Sequence, residues 1–368
     1  MIFEAQTADA SLAGERDVLQ SCVEQAVFAE AMGFDRIWAV EHHSLKWYAH
    51  MSAPEIFLSW VAARTSTIRV GHGVVCMPFN YNHPVRMGER AAMLDNLSGG
   101  RLDLGAGRGA TLQETSLCGV DPARTKDEVE EALRMIGQMW VTDSFEWGGS
   151  FDIRPHSILP RPAQLPHPPL FLACNKRETV ALAAEYGVGA LVLGFSGLDE
   201  IAAIRKVYAE SLALRDGSKF VSSVTNDHVS ALCPTIVLDD ADEAFRVGVR
   251  GQRFFTESIA HWHLDLPEPR GDTEHDDNAA ALAAFEERKL ATAAKTNMAT
   301  ARYSIDHPYG DANRAIEYVE GLIDTGVDEV MCLIQMGTVP HEVCMETIRQ
   351  WGTKVIPHFR HREAARNG

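Results

Sequence analysis

The sequence predicts an α/β protein, a closed (β/α)8 TIM barrel, and three observations carry that expectation. Eight short apolar runs alternate with amphipathic segments along the 368 residues. The runs are continuous rather than alternating in polarity, as expected of parallel strands covered by helices. Small or polar residues gather where the runs end, and barrel sites are built at the C-terminal ends of strands. An open doubly wound sheet is the alternative, because alternation alone does not prove closure.

The elements follow in order. Residues 2–7, "IFEAQT", form the first strand. Residues 17–32 place Val18, Cys22, Ala26 and Ala29 on one helical face, and Gly33 stops the helix. Residues 35–40 are the second strand. Pro54 opens a helix at 54–64, and 68–77 is the third strand. Pro84 opens the next helix, which ends near Leu97 before the turn "NLSGGR". Residues 101–107 are the fourth strand and 125–139 a helix. An insertion follows: a hairpin at 145–154 turning on Gly148 and Gly149, then the proline-rich linker 160–169. Residues 170–175, 189–195 and 222–233 are strands five to seven, each followed by a helix. The stretch 265–300 is polar and irregular in part. The last strand, 328–335, lies between helices at 311–325 and 340–351. The chain reads as one domain, 1–368.

Composition narrows the function. Hydrophobic residues make up 46%, enough for a large core. The formal charge of -17 disfavours nucleic acid and anionic lipid. An anionic ligand must then be held by local cations. The seven cysteines form no Cys-x-x-Cys pair, which points to free thiols in a reducing compartment. "MIFEAQTADA" has neither a basic n-region nor a long apolar run. No window reaches the roughly 18 apolar residues of a membrane span. The expected location is the cytoplasm.

Chemistry concentrates at strand ends. The second strand runs into Glu41, His42 and His43. Adjacent residues on an extended chain point in opposite directions, so one imidazole faces the barrel mouth. A neutral imidazole is a natural general base near pH 7. The bland alternative is a pair of structural histidines, and no third ligand at a telling spacing supports a metal. Similar polar endings recur at His72 and Gly73, at Gly107 and Arg108, at Cys174 to Lys176, and at Asn226 to His228. "DLGAGRGATL" (103–112) lacks the dinucleotide spacing. Its glycines allow close backbone approach to a ligand, with Arg108 as a clamp. "ACNKRET" (173–179) places Asn175, Lys176, Arg177 and Thr179 where a helix begins, a natural anion site.

Several stretches resemble the bacterial luciferase-like flavin monooxygenases: "GFDRIWAVEHHS" (33–44), the long run 65–109 containing "HPVR", "LDNLSGGR" and "GAGRG", "AAEYG" (183–187), and "IDTGVDEVMCLIQMG" (323–337). The resemblance implies a (β/α)8 barrel with an insertion. It implies reduced flavin mononucleotide (FMNH2) at the C-terminal face and oxygen added at the flavin C4a carbon. The resulting peroxide would attack a small apolar substrate. It implies a separate flavin reductase and a homodimer paired through the helices around strands two to four. His42 takes the place of the catalytic imidazole and His43 that of its partner. Arg108, Asn175, Lys176 and Thr179 fall on the phosphate contacts. Gly73–Val74 falls on a non-proline cis peptide under the flavin ring. Gly107 replaces a luciferase cysteine, which implies open space for a bulky, aromatic or polyketide-like substrate. Residues 265–300 match a mobile lid. The runner-up is a deazaflavin (F420)-dependent oxidoreductase of the same superfamily. A catalytically silent flavin-binding protein is the third reading.

Overall fold

The computed structural model describes residues 1–271, 279–296 and 303–360. In chain order, β1 (Ile2–Phe3), α1 (Leu12–Ala31), β2 (Arg36–Ala39), α2 (Pro54–Ala62), β3 (Arg69–Cys76), α3 (Pro84–Ser98) and β4 (Leu102–Gly107) build the first half. Two helices follow, α4 (Leu112–Cys118) and α5 (Thr125–Met139), then the insertion hairpin of β5 (Phe145–Gly148) and β6 (Asp152–His156). The second half runs β7 (Leu170–Cys174), α6 (Arg177–Tyr186), β8 (Gly189–Val192), α7 (Leu198–Leu214), β9 (Val229–Pro234) and β10 (Ile236–Val237). It closes with α8 (Ala241–Leu264), α9 (Ala279–Thr296), β11 (Tyr309–Gly310), α10 (Ala312–Thr325), β12 (Glu329–Leu333) and α11 (His341–Gln350).

Eight strands pair in the order β1-β2-β3-β4-β7-β8-β9-β12, and every rung is parallel. The seam between β1 and β12 is stitched by side chains. Gln6 N–H donates to Gln335 Oε1 at 2.9 Å, and Gly337 N–H to Gln6 Oε1 at 2.8 Å. The structure is therefore the near-closed barrel, not the open sheet.

Strand pleat decides what fills the interior. Arg36 and Trp38 of β2 point inward. The indole of Trp38 packs edge-on against Phe171 of β7, with centroids 5.0 Å apart, and donates to Glu329 Oε1 at 3.0 Å. Room for that indole comes from β3. A Cβ on Gly71 would lie 2.4 Å from it, and one on Gly73 2.8 Å from the Trp38 Cβ. Below the indole, Arg36 joins Asp103 (2.8 Å) to Glu329 (2.7 Å), and Arg69 binds Asp103 at 2.7 Å. Ser230 and His228 also bind Glu329, at 2.6 and 3.2 Å. Burial alone would raise the Glu329 pKa, but the His228 bond and the Arg36 charge hold it well below the usual range.

Two expected strand-end groups fall elsewhere. His228 precedes β9, so with Asn226 it belongs to the bottom of the barrel, opposite the mouth. His72 alternates with Gly71 and Gly73 and so points outward. It is fully buried, with no hydrogen-bond partner on either ring nitrogen, and burial lowers its pKa to about 3. The segment 265–300, read as polar and irregular in part, contains a long helix. Residues 279–296 of it are helix α9, which packs Phe285 and Ala293 against Ala260 and Leu264 of α8. Its parts at 272–278 and 297–300 lie outside the described residues.

Gly71→Ala is expected to destabilise the fold by about 1–3 kcal/mol, because the new methyl must displace a buried indole. Urea unfolding measures it, and a change within about 0.5 kcal/mol would show that the interior yields freely.

Candidate active site

The site begins with a helix cap. Thr111, Leu112, Gln113 and Glu114 form a capping box at the start of α4. The Thr111 hydroxyl accepts from Glu114 N–H at 3.2 Å, while Thr111 N–H and hydroxyl both donate to Glu114 Oε2 at 2.9 Å. The box holds a fully buried carboxylate whose other oxygen points across the mouth. There Glu114 Oε1 binds His42 Nδ1 at 2.9 Å and accepts the His43 N–H at 3.1 Å.

The two imidazoles diverge, as their adjacency predicts. His43 Nε2 bonds Glu41 Oε1 at 3.0 Å, and its ring stacks on Tyr81 with centroids 5.5 Å apart. Glu41 is itself buried and accepts from Cys76 N–H at 2.6 Å and from Asn82 Nδ2 at 3.0 Å. His43 is thereby tied to the wall. His42 packs on Tyr48, centroids 4.9 Å apart, and its Nε2 lies 3.8 Å from Glu4 Oε2. Burial acts to lower the His42 pKa, but the Glu114 bond and the charges of Glu4, Glu114 and Glu41 outweigh it, and the net shift is upward. Burial likewise pushes Glu114 up, yet its bonds from His42, His43 and Thr111 take it down to about 2.

The β4–β7 side of the mouth is built differently. Ladder pairing sets Ala106 beside Leu172, so two residues on, Arg108 comes level with Cys174. Arg108 is exposed and makes no ion pair or hydrogen bond among the described residues. Asn175 and Lys176 are exposed at the entry to α6. Thr179 is partly committed, since its hydroxyl donates to Lys176 O at 2.8 Å. Arg177 turns away to Glu200, 3.0 Å distant. Below this rim, Ala173 and Leu193 follow inward parity yet remain exposed, Leu193 at 48%. They form an apolar floor at the mouth. The Gly73–Val74 peptide is cis.

Gly107 corrects an expectation. A Cβ there would lie 2.3 Å from Val74 Cγ2. The missing side chain leaves no open space, because Val74 occupies it. The bulky-substrate argument from Gly107 therefore fails, although Val74 over two glycines, 105 and 107, does offer a flat ledge.

The aromatic and sulfur-containing side chains near these strand ends divide between site and core. Tyr48 and Tyr81 flank the histidines, Met77 is core, and Phe79 packs on Phe151 of the insertion. From α8, Phe255 meets Tyr48 at 5.5 Å, and Trp262 donates to Lys46 O at 3.0 Å, so this helix covers part of the mouth. Sequence reading missed Glu4, Glu114 and His263. Only Glu114 carried a usable signal, the Thr-x-x-Glu box. Among the described residues no group of three His, Cys, Asp or Glu side chains could hold a metal ion.

The model of a family described as luciferase-like monooxygenase matches residues 1–329. The chain belongs to that family. It is 34% identical over 192 residues to 4-hydroxyprotoasukamycin monooxygenase of Streptomyces nodosus subsp. asukaensis, covering 49% of this chain and 50% of that one. It is 31% identical to the oxygenase component of flavin-dependent trigonelline monooxygenase of Acinetobacter baylyi, covering 47% and 48%. It is 30% identical to an F420-dependent glucose-6-phosphate dehydrogenase of Kineococcus radiotolerans, covering 52% and 56%. The chain thus spans about half the length of these curated relatives. Among solved structures, monooxygenase RslO1 of Streptomyces bottropensis superposes with TM-score 0.75 at 21% identity, covering 97% and 98%. The oxygenating constituent of 3,6-diketocamphane monooxygenase of Pseudomonas putida, in complex with FMN, gives 0.71 at 18%, covering 97% of each chain. At these identities the superpositions establish the fold. No helix among the described residues is long and apolar enough to cross a membrane.

Glu114→Gln is expected to lower the His42 pKa, followed by its NMR titration, and to cost on the order of 1–3 kcal/mol at pH 7. Because the folded Glu114 pKa is depressed, its contribution is present above about pH 4.5 and fades toward about pH 2. The gap between parent and variant should close over that window. A gap independent of pH would mean that the carboxylate charge contributes nothing.

Proposed function

We propose that this protein is a flavin-dependent monooxygenase, using reduced FMN and O2 to oxygenate a small apolar organic substrate. The observation that carries it is the divided mouth: an anchored imidazole on the β1–β2 side and an unpaired cation above an apolar floor on the β4–β7 side. The donor set fits a flavin mononucleotide. Arg108 and the open start of α6, with Asn175, Lys176 and Thr179, would hold the phosphate. Val74, Gly73 and Gly107 would lie along the ring. Reduced flavin supplies the two electrons that activate O2. His42, fixed by Glu114, would hold or deliver a proton at Nε2, and His43 would support the wall beside it. The part of α8 above Tyr48, together with α9, would keep water from the reacting atoms. The trigonelline enzyme's description as an oxygenase component supports a separate reductase.

The F420 reading rests on the Kineococcus relative. A requirement for O2 separates the two. Turnover with reduced FMN under air and none under nitrogen supports the first; hydride transfer from reduced F420 without O2 would replace it.

A second copy of the chain is the proposed partner. The α2–α3 face leaves Ile56, Trp60, Met93 and Leu97 at 68, 51, 55 and 68% exposure, more apolar surface than a solvated face warrants. Trp60→Glu should convert a dimer to a monomer by light scattering, and a monomeric parent would end that reading.

Arg108→Ala should weaken flavin binding by about 1.5–3 kcal/mol, the scale of a charged hydrogen bond. Titration followed by flavin fluorescence measures it, and unchanged affinity would remove Arg108 from the site. His42→Ala should retain flavin yet lose about 10²–10⁴-fold in turnover.

A further inference from the structure

Glu4 brings a second buried carboxyl group to His42 just past the end of β1, and it differs from Glu114 in its hydrogen bonding. Glu114 accepts hydrogen bonds on both oxygens. Glu4 is 4% exposed, and its Oε2 is buried with no hydrogen-bond partner. That oxygen lies 3.8 Å from His42 Nε2, too far for a direct bond. A single oxygen atom, from water or substrate, could sit at about 2.8 Å from both and bridge them. The imidazole is thus held between two carboxyl groups, one bonded at Nδ1 and one unpartnered beside Nε2.

We propose that Glu4 is a positioning residue that shares a proton with His42, reloading Nε2 through one bridging oxygen after the imidazole has delivered its proton. The step moves only protons. The imidazolium gives the Nε2 proton to an acceptor in the mouth, the Glu4 carboxylic acid returns one to Nε2, and the resulting carboxylate is reprotonated from solvent. Nothing is oxidised.

The surroundings suit a carboxyl group that takes up and gives back a proton near neutrality. Burial raises the Glu4 pKa to about 7, the His42 charge pulls it down, and the Glu114 charge adds to the rise. The other titratable groups facing the pair are Tyr48 from the loop after β2, Glu41, and His263 from α8, with Tyr303 beside Tyr48. Among them, burial raises Tyr48 well above its usual range and lowers His263, so both stay uncharged near neutrality. Glu4, raised to about 7, thus stands beside an imidazole whose own pKa is also shifted upward.

Glu4→Gln in the full chain tests this, read first without flavin. The NMR titration of the His42 ring should shift down by about half a unit or more, because a carboxyl charge beside Nε2 is gone. In turnover, whose interpretation rests on the monooxygenase reading, the pH profile of kcat should lose its inflection near neutrality while KM and flavin affinity hold. In the parent, infrared difference spectra should show a protonated carboxyl band near pH 6.5 that shifts in His42→Gln. This needs no substitution at Glu4 and covers a variant that fails to fold. An unmoved His42 titration, or a carboxyl band indifferent to His42, would overturn the proposal even if the parent oxygenates substrate. Coupled titrations in a parent that never consumes O2 would keep the pair and discard the monooxygenase.

Discussion

The packing of one indole against the barrel interior constrains much of what lies above it. Trp38 is fully buried, spans the space between β2 and β7, and is held by Phe171 and by a hydrogen bond to Glu329. An eight-stranded barrel is just wide enough for side chains to fill it. Placing an indole there demands that facing positions shrink, and Gly71, Gly73 and Gly189 shrink in answer; the last makes way for Phe171. The same choice fixes register. A one-residue slip of β2 would send Trp38 out and Ile37 in, and His42, four residues on, would leave the mouth. The charged layer beneath the indole works in the same direction. Arg36, Asp103 and Glu329 come from three strands, and each charge has a partner within 2.8 Å. A buried ion left alone would be costly, so the network penalises any pairing that separates them.

On this base the site joins two unrelated needs in one carboxylate. Glu114 satisfies N–H groups at the start of α4, which any helix end requires, and it also fixes the ring of His42. The cap bonds on Oε2 fix the carboxylate and so aim Oε1 at His42 Nδ1. A general acid or base benefits from such a constraint, because catalysis depends on the proton being aimed before the reaction begins.

Much of the fold was legible because it rests on local signals. Pro54 and Pro84 at helix starts, Gly33 after α1, and the continuous apolar strands gave boundaries within a few residues for most barrel elements. The short pieces were not legible. The two-residue strands β10 and β11 pair only through tertiary contact, and α9 sits in a polar stretch whose apolar face shows only against α8. At the site, the Glu41-His42-His43 triplet and Arg108 stood out as charges at strand ends. His72 and His228 looked the same in sequence and fell elsewhere, since strand parity and strand direction are properties of pairing, not of composition. Gly107 shows the opposite limit. A glycine can mean room or its absence, and only the position of Val74 decides.

Charge distribution connects the fold to the chemistry proposed for it. With a net charge of -17, the protein's overall field repels phosphate, so an anionic cofactor depends on the β4–β7 rim. The carboxylates near the mouth are correspondingly kept to the other side: Glu114 is occupied by donors, Glu41 is tied to His43, Cys76 and Asn82, and Glu4 is buried at the end of β1. The ladder puts three intervening strands' worth of wall, β2 through β4, between Glu4 and the start of α6. A ligand lying along the apolar floor of Ala173 and Leu193 would then present its anionic end to Arg108 and its other end to His42. Attraction at one end and proton handling at the other are separated by the width of the barrel mouth. That separation would let a strongly acidic protein hold an anion without placing a positive charge beside its imidazole.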